Sequence, residues 1–216
     1  WISNFSFFYA HHMTTIEGGM ISTNNPEVYQ QARMLRSHGM VREATDAALQ
    51  ETYKTSNPEL HPDFIFSYPA YNVRNTEIGG IMGRKQLKRL DENVKRRTAN
   101  FERFLKGIDQ NKYRTDFKLE GSSNYAFNLI LREPDDKFVQ RLMSKMQEAG
   151  VEFRRGSAGG GNQIRQPYLK GVVPKKHYKE FPEVEHVHFY GFYIGNYPDL
   201  SDKEVDNICK IVNSVG

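Results

Sequence analysis

The chain has 216 residues, of which 38% are hydrophobic, 26% charged and 12% aromatic, and its formal net charge is +4. These values are typical of a globular protein with one or two domains, and the mild, dispersed charge argues against nucleic-acid binding. No stretch approaches the ~20 apolar residues of a membrane helix, no signal-peptide pattern opens the sequence, and the single cysteine, Cys209, allows no internal disulfide. We therefore expect a cytoplasmic protein without membrane or nucleic-acid partners.

The first third of the sequence predicts two short strands and one helix. The strands cover residues 1–8 and 18–23, and Asn-Pro then opens a helix over 25–38. The next segment, 40–62, is polar and has no sustained period, so it predicts a long loop with no more than one helical turn. Loops of this length in a compact domain are often functional, and we expect this one to cover a large substrate.

After residue 75, apolar residues recur at three- and four-residue steps, which predicts one long helix over 76–107. We expect this helix to link the C-terminal portion of a large domain, residues 1–75, to a small C-terminal domain, residues 108–216. The small domain is predicted to contain strands over 125–131, 151–154 and 186–194, and helices over 137–149 and 201–215.

The most informative segment runs from Ser6 to Gly19. Ser6-Phe is followed by His11 and then by Glu17-Gly-Gly. This spacing resembles the cofactor-lysine segment of the pyridoxal-phosphate sugar aminotransferases, in which Ser-Phe, three residues, Lys, five residues and an acidic residue with Gly-Gly follow one another. His11 stands where that family has its lysine, and the first lysine of this chain is Lys54.

Histidine in this place changes the expected chemistry. An imidazole cannot form the covalent bond that a lysine amine makes with pyridoxal phosphate, but its ordinary pKa of ~6.5 allows it to transfer protons around neutral pH. We therefore expect a cofactor held non-covalently and His11 acting as base and acid in an elimination. On extended backbone, the neighbouring His12 would point away from the site and pack behind it.

Two further segments, 71–77 and 152–163, extend the resemblance over essentially the whole chain. Together with His11 they resemble the sugar 3-dehydratase branch of the family. The resemblance implies a fold-type-I, aspartate aminotransferase-like α/β fold, pyridoxal or pyridoxamine 5'-phosphate, and L-glutamate as amino donor. It also implies a nucleotide-sugar substrate, GDP-4-keto-6-deoxymannose, which loses its 3-hydroxyl in colitose and O-antigen biosynthesis. Because chains of this family are almost twice as long, we expect a fragment.

The resemblance also implies roles for individual residues. Ser6 would donate to the cofactor phosphate, and Asn72 would reach the phosphate of the other subunit's cofactor, which requires a homodimer with shared active sites. Arg74 is a weaker candidate for the same anionic region. Arg154 and Arg155, before the glycine-rich segment 156–163, would bind substrate anions, and which arginine binds which anion is open.

Other interpretations compete with these. Asn72 could simply turn the chain, with Asn75 or Thr76 capping the following helix. A true aminotransferase would need the lysine back, and a related CDP-sugar dehydrase with an iron–sulfur cluster would need cysteines, which segment 41–52 lacks. The chain could also be a catalytically silent piece. His186 and His188 would share a strand face, but no third ligand has convincing spacing, so we expect no metal site.

Overall fold

The computed structural model describes residues 1–156 and 160–216, and it has the mixed α/β architecture that the sequence predicts. The chain forms two compact units, Trp1–Leu90 and Asp91–Gly216. In the described part of the chain, no helix combines the length and apolar character that crossing a membrane requires. The division into a large-domain portion, a linking helix and a small domain stays a prediction.

The first unit begins with an antiparallel hairpin of β1 (Ile2–Ser6) and β2 (Gly19–Thr23). Helix α1 (Pro26–Leu35) follows, and the Asn25 side chain caps it by accepting from two backbone N–H groups of its first turn. The helix ends three residues before the predicted limit, since His38 adopts a left-handed φ of 59°. That backbone conformation cannot continue an α-helix.

The predicted loop over 40–62 contains a regular helix, α2 (Ala47–Ser56), so the prediction of no more than one turn is wrong. Asp46 caps this helix by accepting from the backbone N–H groups of its first turn. Leu49 and Tyr53, one turn apart, are its residues that pack against the small buried cluster of this unit. Two apolar contacts are too few to produce a recognisable helical period.

The prediction of one continuous helix over 76–107 is also wrong, because a turn at Lys88–Arg89 separates α3 (Glu77–Leu87) from α4 (Leu90–Gly107). The Arg89 N–H bonds to the Gln86 carbonyl, three residues earlier, at 3.1 Å. Lys88 keeps helical dihedral angles, φ −62° and ψ −22°. The apolar period therefore continues across the turn, and the sequence shows no interruption.

The second unit contains a three-stranded antiparallel sheet of β3 (Ala126–Ile130), β4 (Phe153–Arg155) and β5 (Gly191–Gly195), in the order β3-β5-β4. Helices α5 (Asp136–Glu148) and α7 (Asp202–Asn213) also belong to this unit, and α7 begins with a capping box of Ser201 and Glu204. Its core is drawn from α4, these two helices and the sheet, and includes Phe104, Phe127, Leu129, Leu142, Phe192 and Val205.

The predicted strand over 186–194 is half helix: α6 (Pro182–Tyr190) leads directly into β5. Proline at the first helical position favours the helix start. Gly191 ends it, where a Cβ would lie 2.5 Å from the Val187 carbonyl oxygen. His186 and His188 therefore lie on a helix and do not share a strand face. No group of three or more metal-ligating side chains occurs among residues 1–156 and 160–216.

Candidate active site

The loop between β1 and β2, which we call the His11 loop (residues 7–18), is closed by hydrogen bonds at its base. The Phe7 N–H donates to the Gly18 carbonyl at 2.9 Å, and the Thr15 N–H donates to the Phe7 carbonyl at 2.9 Å. The Thr14 hydroxyl also donates to the Phe7 carbonyl, at 3.2 Å. These bonds hold the two ends of the loop together beside the last residue pair of the hairpin, Ser6 and Gly19.

His11 is half-buried and held from two sides. Its Nδ1 lies 3.3 Å from the Ser6 carbonyl oxygen, and its ring meets Phe8 edge to face with centroids 5.8 Å apart. Because a carbonyl oxygen only accepts, Nδ1 is the donor in this contact. In the neutral ring Nε2 then carries the lone pair, so it is the nitrogen suited to act as base.

The backbone around His12 is a series of turns and bends and is not extended. His11 and His12 therefore do not lie on a strand, and the prediction that strand geometry points them to opposite sides is wrong. The His11 N–H bonds to the Phe8 carbonyl at 3.0 Å, which closes a turn inside the loop.

Asn72 and Arg74 lie in an extended segment that pairs with the end of α1. The His38 N–H donates to the Tyr71 carbonyl, and Asn72 and Ser37 form an isolated antiparallel bridge. The Asn72 Oδ1 accepts from the Arg74 backbone N–H at 3.3 Å and from the Arg74 Nε at 3.2 Å. Since Arg74 occupies the amide oxygen, the amide nitrogen is the group that Asn72 can offer to a ligand.

Arg74 also lies close to a carboxylate. Its Nη1 is 3.8 Å from Glu43, which has a second guanidinium, that of Arg36, at the same distance. Arg33 donates to the Glu43 backbone carbonyl at 2.7 Å. One side-chain carboxylate therefore lies among three guanidinium groups, which leaves this region positively charged.

These arginines line a cavity of about 810 Å³ in the first unit, together with residues of the hairpin and the segment before α3. Gly18 and Gly19, at the end of the His11 loop, and Asn75 also line it, whereas Ser6, His11 and Asn72 do not. Neither Arg33 nor Arg36 was singled out from the sequence, because Arg33 lies on an amphipathic helix and Arg36 directly after it, where arginines are ordinary.

The side chains present fit a phosphate-bearing cofactor that is held without a covalent bond. Ser6 is exposed at the end of β1 and presents a hydroxyl, and Asn72 presents an amide nitrogen. Both groups are donors of the kind that phosphate oxygens accept. His11 lies on the loop that begins one residue after Ser6, so an imidazole and a hydroxyl that could donate a hydrogen bond to a phosphate belong to one local structure.

Arg154 and Arg155 lie on β4 of the second unit and have different environments. The Arg154 guanidinium lies 5.6 Å from the centroid of the Tyr193 ring, its cross-strand neighbour. The Arg155 Nη2 donates to the Phe189 backbone carbonyl at 2.8 Å, which ties β4 to α6. Because adjacent strand residues face opposite sides of a sheet, the two arginines are not interchangeable, and Arg154 is the better candidate for an anionic ligand.

The glycine-rich segment after β4 lies partly outside the described residues, since residues 157–159 are not described. Gly156 and Gly161 approach closely: a Cβ on Gly156 would lie 2.6 Å from the Gly161 nitrogen. Asn162 then anchors the segment: its N–H donates to His188 Nδ1 at 3.1 Å and its Nδ2 to Glu185 at 2.8 Å.

Glu185 contacts both Asn162 and Arg165. It accepts hydrogen bonds from the Arg165 guanidinium, whose Cζ lies 3.9 Å from the centroid of the Tyr178 ring. The hydrogen bond from Arg165 is the largest cause that holds the pKa of Glu185 below its usual value. No sequence pattern indicates this network, because it joins residues of a loop to residues of α6.

Comparison with known proteins places the whole chain in one group. The DegT/DnrJ/EryC1/StrS aminotransferase family matches residues 1–213. A GDP-4-keto-6-deoxy-D-mannose 3-dehydratase of Yersinia pseudotuberculosis is 31% identical over an alignment of 214 residues, which covers 97% of this chain and 53% of that protein.

Solved structures agree with this assignment. A GDP-4-keto-6-deoxymannose-3-dehydratase with a trapped PLP–glutamate geminal diamine is 26% identical, with a TM-score of 0.74 over 98% of this chain and 54% of that one. A variant of such an enzyme with bound GDP-perosamine is 25% identical, with a TM-score of 0.73 over 98% of this chain and 54% of that one. The chain thus spans about half the length of the relatives that it matches.

Proposed function

The chain belongs to the DegT/DnrJ/EryC1/StrS aminotransferase family. From this membership we propose that it is part of a pyridoxal-phosphate-dependent nucleotide-sugar 3-dehydratase, namely the part that contains the His11 loop and the C-terminal domain. The substrate would be GDP-4-keto-6-deoxymannose, with L-glutamate as amino donor. In the overall reaction the sugar exchanges its 3-hydroxyl for hydrogen, while glutamate becomes 2-oxoglutarate and ammonia, which balances atoms and electrons. The product would serve deoxysugar synthesis for colitose and O-antigen.

The observation that carries the proposal is His11 in the position of the family's cofactor lysine. The residues on both sides keep the family pattern, Ser6-Phe before it and Glu17-Gly-Gly after it. Loss of the lysine alone would indicate an inactive protein, but imidazole is a group that takes and returns a proton near neutral pH. The similarity to 3-dehydratases supports this choice over a transaminase.

In this proposal the bound cofactor, carrying the amino group taken from glutamate, would stabilise the negative charge left by proton removal and supply the electron pair that breaking the C3–O bond requires. His11 would take up a proton at Nε2 as a base and then donate a proton to the oxygen of the departing 3-hydroxyl as an acid. The Ser6 carbonyl would keep Nδ1 protonated and hold the ring in its orientation. One imidazole that alternates between base and acid is sufficient, because the two proton transfers follow one another.

The binding residues would divide the anionic groups among them. Ser6 would hold the cofactor phosphate of its own subunit, and Asn72 would donate to the phosphate of the partner's cofactor in a cytoplasmic homodimer. Arg74 and Arg154 would bind anionic groups of the nucleotide sugar or of glutamate. Arg155, which is tied to a backbone carbonyl, would mainly hold β4 in place.

The test uses the natural polypeptide that contains this chain, supplied with pyridoxal phosphate, ¹⁵N-glutamate and GDP-4-keto-6-deoxymannose. Mass spectrometry of the nucleotide product is expected to show loss of one oxygen without retained ¹⁵N. A product that keeps ¹⁵N would identify an aminotransferase and contradict the interpretation of His11. An unchanged nucleotide sugar, with cofactor binding also absent, would identify a catalytically silent protein.

A further inference from the structure

Asn75, two residues before α3, has a side chain that lies between two glycines distant from each other in sequence. A Cβ on Gly18 would lie 2.7 Å from the Asn75 Nδ2, and a Cβ on Gly79 would lie 2.7 Å from the Asn75 Oδ1. Oδ1 also accepts from the Thr76 N–H at 2.8 Å. The Asn75 amide therefore occupies the space between Gly18 and Gly79, which is open only because neither glycine has a side chain.

The same face of α3 lies against the His11 loop at a second point. A Cβ on Gly83, one turn after Gly79, would lie 3.4 Å from the Thr15 Cγ2, and a Cβ on Gly18 would lie 2.7 Å from the Thr15 Oγ1. Thr15 is buried and its hydroxyl donates to the Glu17 carbonyl at 2.8 Å. The loop, Asn75 and the glycine face of α3 are thus in mutual contact.

Gly18 adds a constraint of its own. Its φ of 148° lies in the region that residues with a side chain rarely adopt. Its carbonyl accepts from the Phe7 N–H at the base of the His11 loop, so a shift of Gly18 moves the base of that loop. Asn75 in turn follows Asn72 by three residues and Arg74 by one.

We infer that Asn75 is a positioning residue: by filling the gap between Gly18 and Gly79, it fixes the loop that carries His11 against the segment that carries Asn72 and Arg74. The catalytic consequence of this inference rests on the function proposed above. The structural consequence does not, because all of these contacts lie within residues 1–90.

The first experiment compares two adjacent glycines of α3 in the 216-residue chain. Gly80 is exposed and a Cβ there meets nothing within 4 Å. Gly80→Ala is therefore expected to raise Tm by about 2–4 °C, the usual gain from glycine to alanine in an exposed helix. Gly79→Ala has the same gain in helix propensity, but its Cβ would lie 2.7 Å from the Asn75 Oδ1 and the Asn75 side chain must move, so we expect a smaller rise than for Gly80→Ala, or none.

A double variant isolates the role of Asn75. Asn75→Ala empties the gap, so adding Gly79→Ala to it is expected to recover the rise of about 2–4 °C relative to Asn75→Ala alone. In NMR spectra, the Gly18 amide and the His11 ring resonances are expected to move in Gly79→Ala and Asn75→Ala and to stay in place in Gly80→Ala.

The positioning role has its own kinetic readout in the natural polypeptide. Asn75→Ala is expected to lower kcat for 3-deoxygenation by about 10- to 100-fold, because a misplacement near 1 Å has effects of that size. The loss should lie mainly in kcat, because His11 acts in the chemical step, and KM for the nucleotide sugar should change only as far as Arg74 also moves. Unchanged kcat in a variant whose unsubstituted parent is active would overturn the role.

The structural part fails if Gly79→Ala raises Tm as much as Gly80→Ala and leaves the Gly18 and His11 resonances unmoved. If these stability and NMR results appear as expected but the unsubstituted polypeptide does not act on the nucleotide sugar, the proposed function fails and the contact of Asn75 with the His11 loop stands.

Discussion

His11 and Cys209 show how the surroundings of one side chain determine its chemistry. His11 is held by the Ser6 carbonyl in an orientation that leaves Nε2 as the basic nitrogen, in a half-buried loop. Cys209 lies in the core, where its thiol faces the Phe104 carbonyl at 3.7 Å. The first residue is suited to proton transfer and the second is a packing residue.

Replacing His11 with asparagine removes the titratable nitrogen and keeps a side chain of similar size. We expect kcat for loss of the 3-hydroxyl to fall by about 10²- to 10⁴-fold, the usual contribution of a positioned acid–base group. Cofactor binding, followed by its absorbance after gel filtration, should persist, because in the proposed function Ser6 and Asn72, and not His11, would hold the phosphate. His12→Asn is the matched control and should keep most of the activity; the opposite result would assign the chemistry to His12.

Cys209 is expected to resist labelling by thiol-specific reagents in the folded chain. Burial is the largest cause that raises the pKa of its thiol, to about 11, and the thiolate is the reactive form. Labelling with a chromogenic disulfide at pH 8 should therefore be slow in buffer and immediate in denaturant. Rapid labelling of the native protein would show that α7 does not pack as described.

At the scale of elements, short polar segments depend on capping and ion pairs. Every residue of α2 is at least partly exposed, and the helix begins with a capping aspartate. The loop after β4 is anchored through Asn162, Glu185 and Arg165. Both features are local in structure, and each can be tested with one substitution.

Asp46→Ala is expected to destabilise α2, because it removes the acceptor for two backbone N–H groups at 2.9 and 3.1 Å. Loss of such a cap costs about 1 kcal/mol, which corresponds to a Tm decrease of about 2–4 °C for a chain of this size. Thermal unfolding followed by circular dichroism at 222 nm measures it. Asp46→Asn keeps the acceptor and should stay near the parent value, and equal losses in the two variants would exclude capping as the cause.

The Glu185 pair should make part of the stability depend on pH. The folded-state pKa of Glu185 lies below its ordinary value of 4.5, chiefly because of the hydrogen bond from Arg165. Its contribution is therefore present above pH 4.5 and is lost as the pH falls through the folded-state pKa. The Tm difference between the parent and Glu185→Gln should be largest near neutral pH and should shrink in acid.

The matched control for this pH series is Glu120→Gln, at an exposed position of the same unit. Glu120→Gln should change Tm only slightly at every pH of the series, since Arg165 is paired with Glu185 and not with Glu120. A difference for Glu185→Gln that stays constant from pH 7 to pH 3 would contradict the assigned pair.

At the scale of the whole molecule, apolar burial is distributed unevenly between the two units. Among the residues that the structure describes, the cluster of the second unit contains eighteen buried hydrophobic residues, and that of the first unit contains four. The first unit also leaves large apolar side chains of its hairpin and of the residue before it exposed, including Ile21 at 54% and Trp1 at 87%. Burial of apolar surface is the main favourable term in folding, so the units should differ in their independent stability.

We expect residues 91–216, expressed alone, to fold and to unfold in one cooperative transition. Residues 1–90 alone should lack a cooperative transition, because so small a buried cluster cannot offset the conformational entropy of such a chain. Thermal unfolding and the dispersion of amide NMR signals measure both. A cooperative transition for residues 1–90 would show that the hairpin and its helices have a sufficient core.

The sequence by itself determined the features that depend on spacing along the chain. The register of His11 between Ser6 and Glu17, the apolar period of α5 and the capping box of α7 follow from residues close to one another, whose side chains meet through local geometry. The mixed α/β class and the family followed from the same short segments.

The tertiary structure alone decided the features that depend on contacts between distant residues. The sequence did not show the turn at Lys88–Arg89, because the apolar period continues across it, or the start of β5 at Gly191, because the apolar and aromatic residues of α6 are also common in strands. The different environments of Arg154 and Arg155 depend on Tyr193 and Phe189, which are distant in sequence. The gap that Asn75 fills exists only where α3 meets the His11 loop, and no pattern along the chain records which glycines face each other across it.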